Sequence, residues 1–148
     1  MFRRLIPVML ATFVVLVAVQ PASAAGGVRI KEIFYNSPGS DTGSNTSLNA
    51  EWIQLHNSAS HAIKLTGWTV RDAAGHVYKF GKFTIFAGGS VKIHTGHGTN
   101  THKDRYWGSG NYIWNNDGDT GTLKRANGTV VDRCHYSDPS ETNDHVIC

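Results

Sequence analysis

The sequence predicts an all-β sandwich, and three observations carry the prediction. Beyond the first two dozen residues, no 11-residue window keeps a helical period. Short runs of alternating apolar and polar residues recur instead, rich in β-branched and aromatic side chains. Between them stand clusters of Gly, Asn, Asp and Ser, the residues that supply turns. About nine short strands in roughly 110 residues is the spacing of a two-layer sandwich. Parallel βαβ units are excluded, because no crossover helix is available.

Taken in order, residues 28–35 (VRIKEIFY) form the first strand. Ile30 and Ile33 are out of phase there, which a bulge or burial of both faces explains. Residues 36–49 (NSPGSDTGSNTSLN) read as an exposed loop. In residues 51–57, Ile53 and Leu55 share one face, and Trp52, Gln54 and His56 the other. Ile63 and Leu65 make a brief strand that ends at Gly67, which permits a tight turn. Trp68 and Val70 then oppose Thr69 and Arg71, with Trp68 as a large apolar plug for the core. The turn Asp72-Ala73-Ala74-Gly75 leads into residues 76–80, completing a hairpin. Phe83 and Ile85 precede Ala87-Gly88-Gly89, and Val91 and Ile93 alternate with Lys92 and His94. Residues 95–110 are a second open, polar, glycine-rich segment. Residues 112–114 and 120–125 are strands, followed by the turn Ala126-Asn127-Gly128 and a closing strand over 129–136. The expected core is Ile53, Leu55, Leu65, Trp68, Val70, Phe80, Ile85, Val91, Ile93, Leu123 and Val130. Asn57 and Asp72 stand at strand ends, and Asp119 and Thr120 follow Gly118; all four suit bonding to turn and loop amides.

Residues 1–24 read as an export signal, and residues 25–148 as the single domain. Arg3 and Arg4 supply the positive end, residues 5–19 an apolar run broken by Pro7, and Ala22-Ser23-Ala24 a small-residue cleavage site. The run is shorter than the roughly 20 residues of a spanning helix, and no later segment is apolar enough to span a bilayer. The expected location is therefore extracellular. An even cysteine count outside the cytosol favours a Cys134–Cys148 bridge, worth about 3 kcal/mol in the chain-entropy model. The whole chain has 14 Lys+Arg against 11 Asp+Glu, and cleavage discards two of the arginines. A near-neutral balance does not indicate nucleic acid as a partner.

The ordered segments resemble the lamin tail domain family over essentially the whole mature chain. The points of likeness are Ile30-x-Glu32-Ile33-x-Tyr35, Glu51-Trp52-Ile53-x-Leu55-x-Asn57 and Leu65-x-Gly67-Trp68-x-Val70-x-Asp72. Tyr78-x-Phe80, Trp114-Asn115-Asn116-x-Gly118-Asp119-Thr120 and Asn127-Gly128-Thr129-Val130-Val131-Asp132 complete the series. The resemblance implies an immunoglobulin-like β-sandwich that serves adhesion or targeting, and it transfers no catalytic residue. In animal cells the domain follows the coiled coil of nuclear filament proteins. With an export signal in that place, this chain is similar to the stand-alone secreted bacterial versions, a domain also found fused to secreted nucleases and other hydrolases.

Three clusters offer chemistry. His94, His97 and His102, with Asp104 just beyond, are the basis of an alternative reading as a metal-dependent extracellular hydrolase or nuclease. Their spacing matches no known motif, and solvated histidines on a mobile loop explain them as well. Asp117 and Asp119 are weak calcium candidates, but the loop lacks the terminal bidentate Glu of a calcium hand and reads first as a self-capped turn. His102, Lys103, Arg105, Tyr106, Trp107 and Tyr112 form the candidate binding patch, since exposed rings beside cations can contact a ligand. Trp114 is expected in the core. Glu32 and Glu51 are read as solvated strand residues rather than a catalytic pair. No nucleophile elbow, P-loop or dinucleotide motif occurs, so neither an enzyme nor a cofactor is expected. The expectation is a secreted module that binds an extracellular or cell-envelope macromolecule.

Overall fold

The computed structural model describes residues 26–148, so the export signal lies outside the described residues. Two sheets face one another across an apolar core. The first has five strands in the order β11-β1-β2-β7-β8: β1 Val28–Phe34, β2 Trp52–Asn57, β7 Ser90–His94, β8 Asp104–Tyr106 and β11 His145–Ile147. The second has four in the order β10-β9-β4-β5: β4 Thr69–Arg71, β5 Val77–Lys79, β9 Gly118–Lys124 and β10 Val130–Ser137. A two-stranded pair, β3 Ile63–Lys64 with β6 Thr84–Ile85, adds to them.

Alternation decides which side chains meet inside. Ile53 and Leu55 of β2, Val91 and Ile93 of β7, Val70 of β4 and Leu123 of β9 are all fully buried. The register of β1 slips between Ile30 and Glu32, so Ile30 and Ile33 both reach the core, as the sequence phase requires. Gly121 faces inward on β9, where an added β-carbon would lie 2.9 Å from Ile33 Cδ1 and 3.1 Å from Ile53 Cδ1. The missing side chain is what lets these isoleucines cross the sandwich.

Three of the four expected polar turn-makers bond backbone amides, while the Thr120 hydroxyl pairs instead with the His135 ring on the neighbouring strand. Asn57 is buried and donates to the carbonyls of His61, Ile85 and Phe86 while accepting from Ala59 N–H. Asp72 Oδ1 accepts from the amides of Gly75 and His76, closing the β4–β5 hairpin. Asp119 accepts from Ala73, Asn115 and Thr120 amides.

Several expectations are corrected. The loop over 36–49 contains a short helix, α1 Asn45–Ala50, started by Ser44, whose hydroxyl accepts from Ser47 N–H, and anchored by buried Leu48. The open segment over 95–110 contains β8, which pairs in parallel with β7 through a loop and no helix. That loop is tied down: Asn45 accepts from His97 N–H at 2.7 Å, and Asn45 and Asn49 both donate to its carbonyl. Residues 112–114 are not a strand, although Ile113 and Trp114 are buried. Eleven strands stand among the described residues, and β11 was not foreseen; it pairs with β1 at the sheet edge. Val130 is only half-buried, because β10 slips register between Val130 and Asp132 and Val131 packs on the core instead. Trp68 is also half-buried, lying against the core rather than within it.

Candidate functional site

The 102–114 segment does not form one patch. His102 is exposed beside Phe86, with ring centroids 6.1 Å apart. Lys103 is exposed and its carbonyl accepts from Lys92 N–H at 2.8 Å. Arg105 lines a recess with His102 and Phe86, its guanidinium 4.1 Å from the centre of the Phe83 ring. Tyr106 is stacked on His94 at 5.2 Å, and Gly98 covers it so closely that a β-carbon would sit 2.3 Å from the ring. Trp107 packs between Tyr78 and Trp114, and the Tyr112 hydroxyl pairs with that of Ser47. Trp114 is in the core, as expected.

Tyr106 instead joins a row of rings on the outer face of the five-stranded sheet. Phe34 stacks on His145 at 5.8 Å and on Trp52 at 5.4 Å, and the Lys92 ammonium lies 3.4 Å over Trp52. Near-parallel planes at these separations are offset stacks, so the ring faces are engaged with one another and with Lys92. The row braces the sheet.

The three loop histidines do not converge. Among the described residues, no three His, Cys, Asp or Glu side chains are grouped to hold a metal ion. His94 is a correction to the solvated-loop reading: it lies on β7, with Nδ1 2.8 Å from the Asn49 carbonyl and Nε2 3.1 Å from Asp104 Oδ1. Both partners are acceptors, so both bonds form together only when both ring nitrogens carry hydrogen. In the acidic loop, Asp119 is buried and engaged with amides, while Asp117 is exposed. Cys134 and Cys148 are joined, with Cα atoms 5.7 Å apart, which ties β11 and the chain end to β10.

Glu51 departs most from the sequence reading, because it is completely buried rather than solvated. Its Oε1 accepts from the Thr95 hydroxyl and from Ile113 N–H at 2.8 Å, and its carbonyl accepts from Thr95 N–H. Oε2 has no hydrogen-bond partner. Burial pushes the carboxyl up to about 7, against the opposing pull of the Thr95 and Ile113 bonds. The signal was present in the sequence: Glu51 keeps the two-residue phase of Ile53 and Leu55, which points it inward. Glu51 thus pins the 95 and 113 segments to the start of β2.

The outer face of the four-stranded sheet differs in character. Register places Arg133, Thr122, Arg71 and Val77 in one row across β10, β9, β4 and β5. Val130, Lys124, Thr69 and Lys79 form the next row, and His135 and Thr120 a third. The His135–Thr120 hydrogen bond of 2.9 Å shows that these side chains share the face. Arg71, Lys79 and Arg133 are exposed and Lys124 partly so. No carboxylate occupies a position in these rows, and among the described residues every carboxylate ion pair is with histidine. Acidic residues gather elsewhere, with Asp41, Asp117 and Glu141 lining one recess. Sequence reasoning missed this face because its four cations come from two strand pairs, β4–β5 and β9–β10, that are distant in the chain and meet only through the β4–β9 pairing.

Two packed sheets of this kind with no helical layer define an immunoglobulin-like β-sandwich. The Lamin Tail Domain family model matches residues 21–138, and the chain belongs to that family. No curated protein matches the chain.

Proposed function

We propose that this lamin-tail-type module is exported and binds an anionic macromolecule at or outside the cell surface, without catalysis, through the outer face of the four-stranded sheet. The observation that carries this reading is the set Arg71, Lys79, Lys124 and Arg133 on one face with no carboxylate among them. Like charges held together without partners repel one another, and a ligand of opposite charge relieves that repulsion. Threonines between the cations offer hydroxyls that donate to or accept from a polar polymer. The Cys134–Cys148 pair supports an oxidising location. The non-catalytic reading fits the family's character as a binding module.

Retention on isolated envelopes of the producing cells tests the reading. The purified protein is expected to be retained at low salt and released as salt rises. Charge reversal by Arg71→Glu with Arg133→Glu is expected to abolish retention, while Lys82→Gln, an exposed cation off the face, leaves it intact. Retention indifferent to the reversal would sink the assignment. Export is read separately, from the first residue of protein recovered from the medium: Ala25 supports it, and an intact Met1 inside the cell refutes it.

A further inference from the structure

We infer that the partner of this basic face is an acidic polysaccharide, a sugar chain carrying carboxylates at sparse intervals. The inference rests on the proposed binding role of the same face and adds the class of partner.

Three features of the face select this chemistry. The first is spacing. Strands lie about 4.8 Å apart and alternate residues on one strand about 6.8 Å apart. Arg133 and Arg71 occupy one row two strands apart, and Lys124 and Lys79 the next row, again two strands apart. Neighbouring cations therefore root about 8–10 Å from one another in a zigzag across the sheet. A nucleic-acid strand presents a charge about every 3.4 Å, far denser than these four cations can match. A polymer with one carboxylate for every one or two sugars matches them better.

The second feature is the absence of rings from the two rows that carry the cations, the His135 imidazole of the third row being engaged with Thr120. Val77 and Val130 are the apolar members, and Thr69 and Thr122 fill the positions between cations. Single-stranded nucleic acids are gripped by aromatic platforms on which bases stack. Alternating hydroxyls and cations suit instead a ligand made of hydroxyls and carboxylates. The third is relief. The face is a sheet surface rather than a cleft, with Lys79 and Val77 at its edge strand. An extended chain can lie across it and make several weak contacts at once, so the length of the polymer multiplies the affinity.

Affinity electrophoresis of the purified protein in native gels tests the inference. The gels contain hyaluronate, polygalacturonate, neutral dextran or a double-stranded DNA fragment. Hyaluronate and polygalacturonate are expected to retard the protein, more at low salt than at high salt, and dextran is not. Arg71→Gln with Arg133→Gln is expected to weaken the retardation about tenfold, as two exposed charge contacts of ordinary strength would. Lys82→Gln is expected to behave as wild type. The four cations of the rows lie on the outer face of the sheet, and a thermal melt of each variant matching wild type confirms that binding alone has changed. No retardation by either acidic polysaccharide overturns the inference, as does retardation that the double variant retains. Stronger retardation by DNA than by the polysaccharides at equal charge concentration assigns the face to nucleic acid and overturns it too. If envelope retention depends on Arg71 and Arg133 while both polysaccharides fail, the partner class is wrong and the binding face stands. If envelope retention ignores the charge reversal, the face itself is wrong.

Discussion

Glu51 gives the sharpest test of the physical reasoning, because its environment makes stability depend on pH in an unusual direction. The carboxyl is buried, and desolvation raises it from the ordinary 4.5 to about 7 in the folded state, with Asp41 adding a smaller push. In the unfolded chain it ionises near the ordinary value. Between these two limits the folded protein binds a proton that the unfolded chain has lost, so rising pH favours unfolding. The contribution is fully present below about 4.5 and is lost as pH rises through about 7. A shift of this size at 1.36 kcal/mol per unit amounts to about 3 kcal/mol. Urea unfolding followed by tryptophan fluorescence, on wild type and Glu51→Gln from pH 4.5 to 9, measures it. The wild-type midpoint is expected to fall by about 1–3 M across this range relative to the variant. The variant, which keeps the shape and an acceptor oxygen but cannot ionise, is expected to overtake wild type at alkaline pH. Taking the difference between the two proteins cancels the histidines and other carboxylates. Asp138, lowered by its bonds to Asn143 and Ser140, acts in the opposite sense and only as pH falls below the ordinary carboxylate range. A wild-type curve that rises from pH 4.5 to 7 relative to Glu51→Gln, or two parallel curves, would refute the account of Glu51 as a buried neutral acid.

Two further outcomes are expected from the packing. Gly121→Ala places a methyl group against Ile33 and Ile53 in a filled interior and should destabilise by about 1–3 kcal/mol in equilibrium denaturation; an unchanged midpoint would show that the isoleucine tips yield freely. A thiol assay in denaturant without reductant should find no free thiol, and Cys148→Ser should cost about 3 kcal/mol with early loss of β11 protection in hydrogen exchange. Two titratable thiols in native protein would remove the bridge from the account.

The local pattern of residues made much of the fold legible. Alternation at 53/55, 68/70 and 91/93 placed β2, β4 and β7, and the phase break between Ile30 and Ile33 announced the bulge of β1. Asn57 and Asp72 were recognisable as turn-makers because each accepts from amides beside its own strand end or hairpin. The reach of Asn57 to the carbonyls of Ile85 and Phe86 was set by the tertiary structure. Alternation fails where an element is too short or has too few apolar residues to show a period. The α1 helix has one buried residue, β8 has none, and β11 relies on β1 and the disulfide for its place. The buried 113–114 segment has no strand period because it is held by side chains, Glu51 among them.

The division between the two levels follows from range. Periodicity, turn chemistry and cysteine count act between neighbours in the chain, and by themselves they determined a β-sandwich, most of its core and the pairing of Cys134 with Cys148. Which groups share a surface depends on strand order and register, which bring residues 71, 79, 124 and 133 together across β4, β5, β9 and β10. Overall charge is a sum and carries no positions, so a near-neutral chain concealed a basic face and an acidic recess. The same assembly turned Tyr106 and Trp107 to structural use and enclosed a carboxyl that composition would leave in water. Only the tertiary structure decided those matters, because electrostatic and packing energies depend on distance in space and not on separation along the chain.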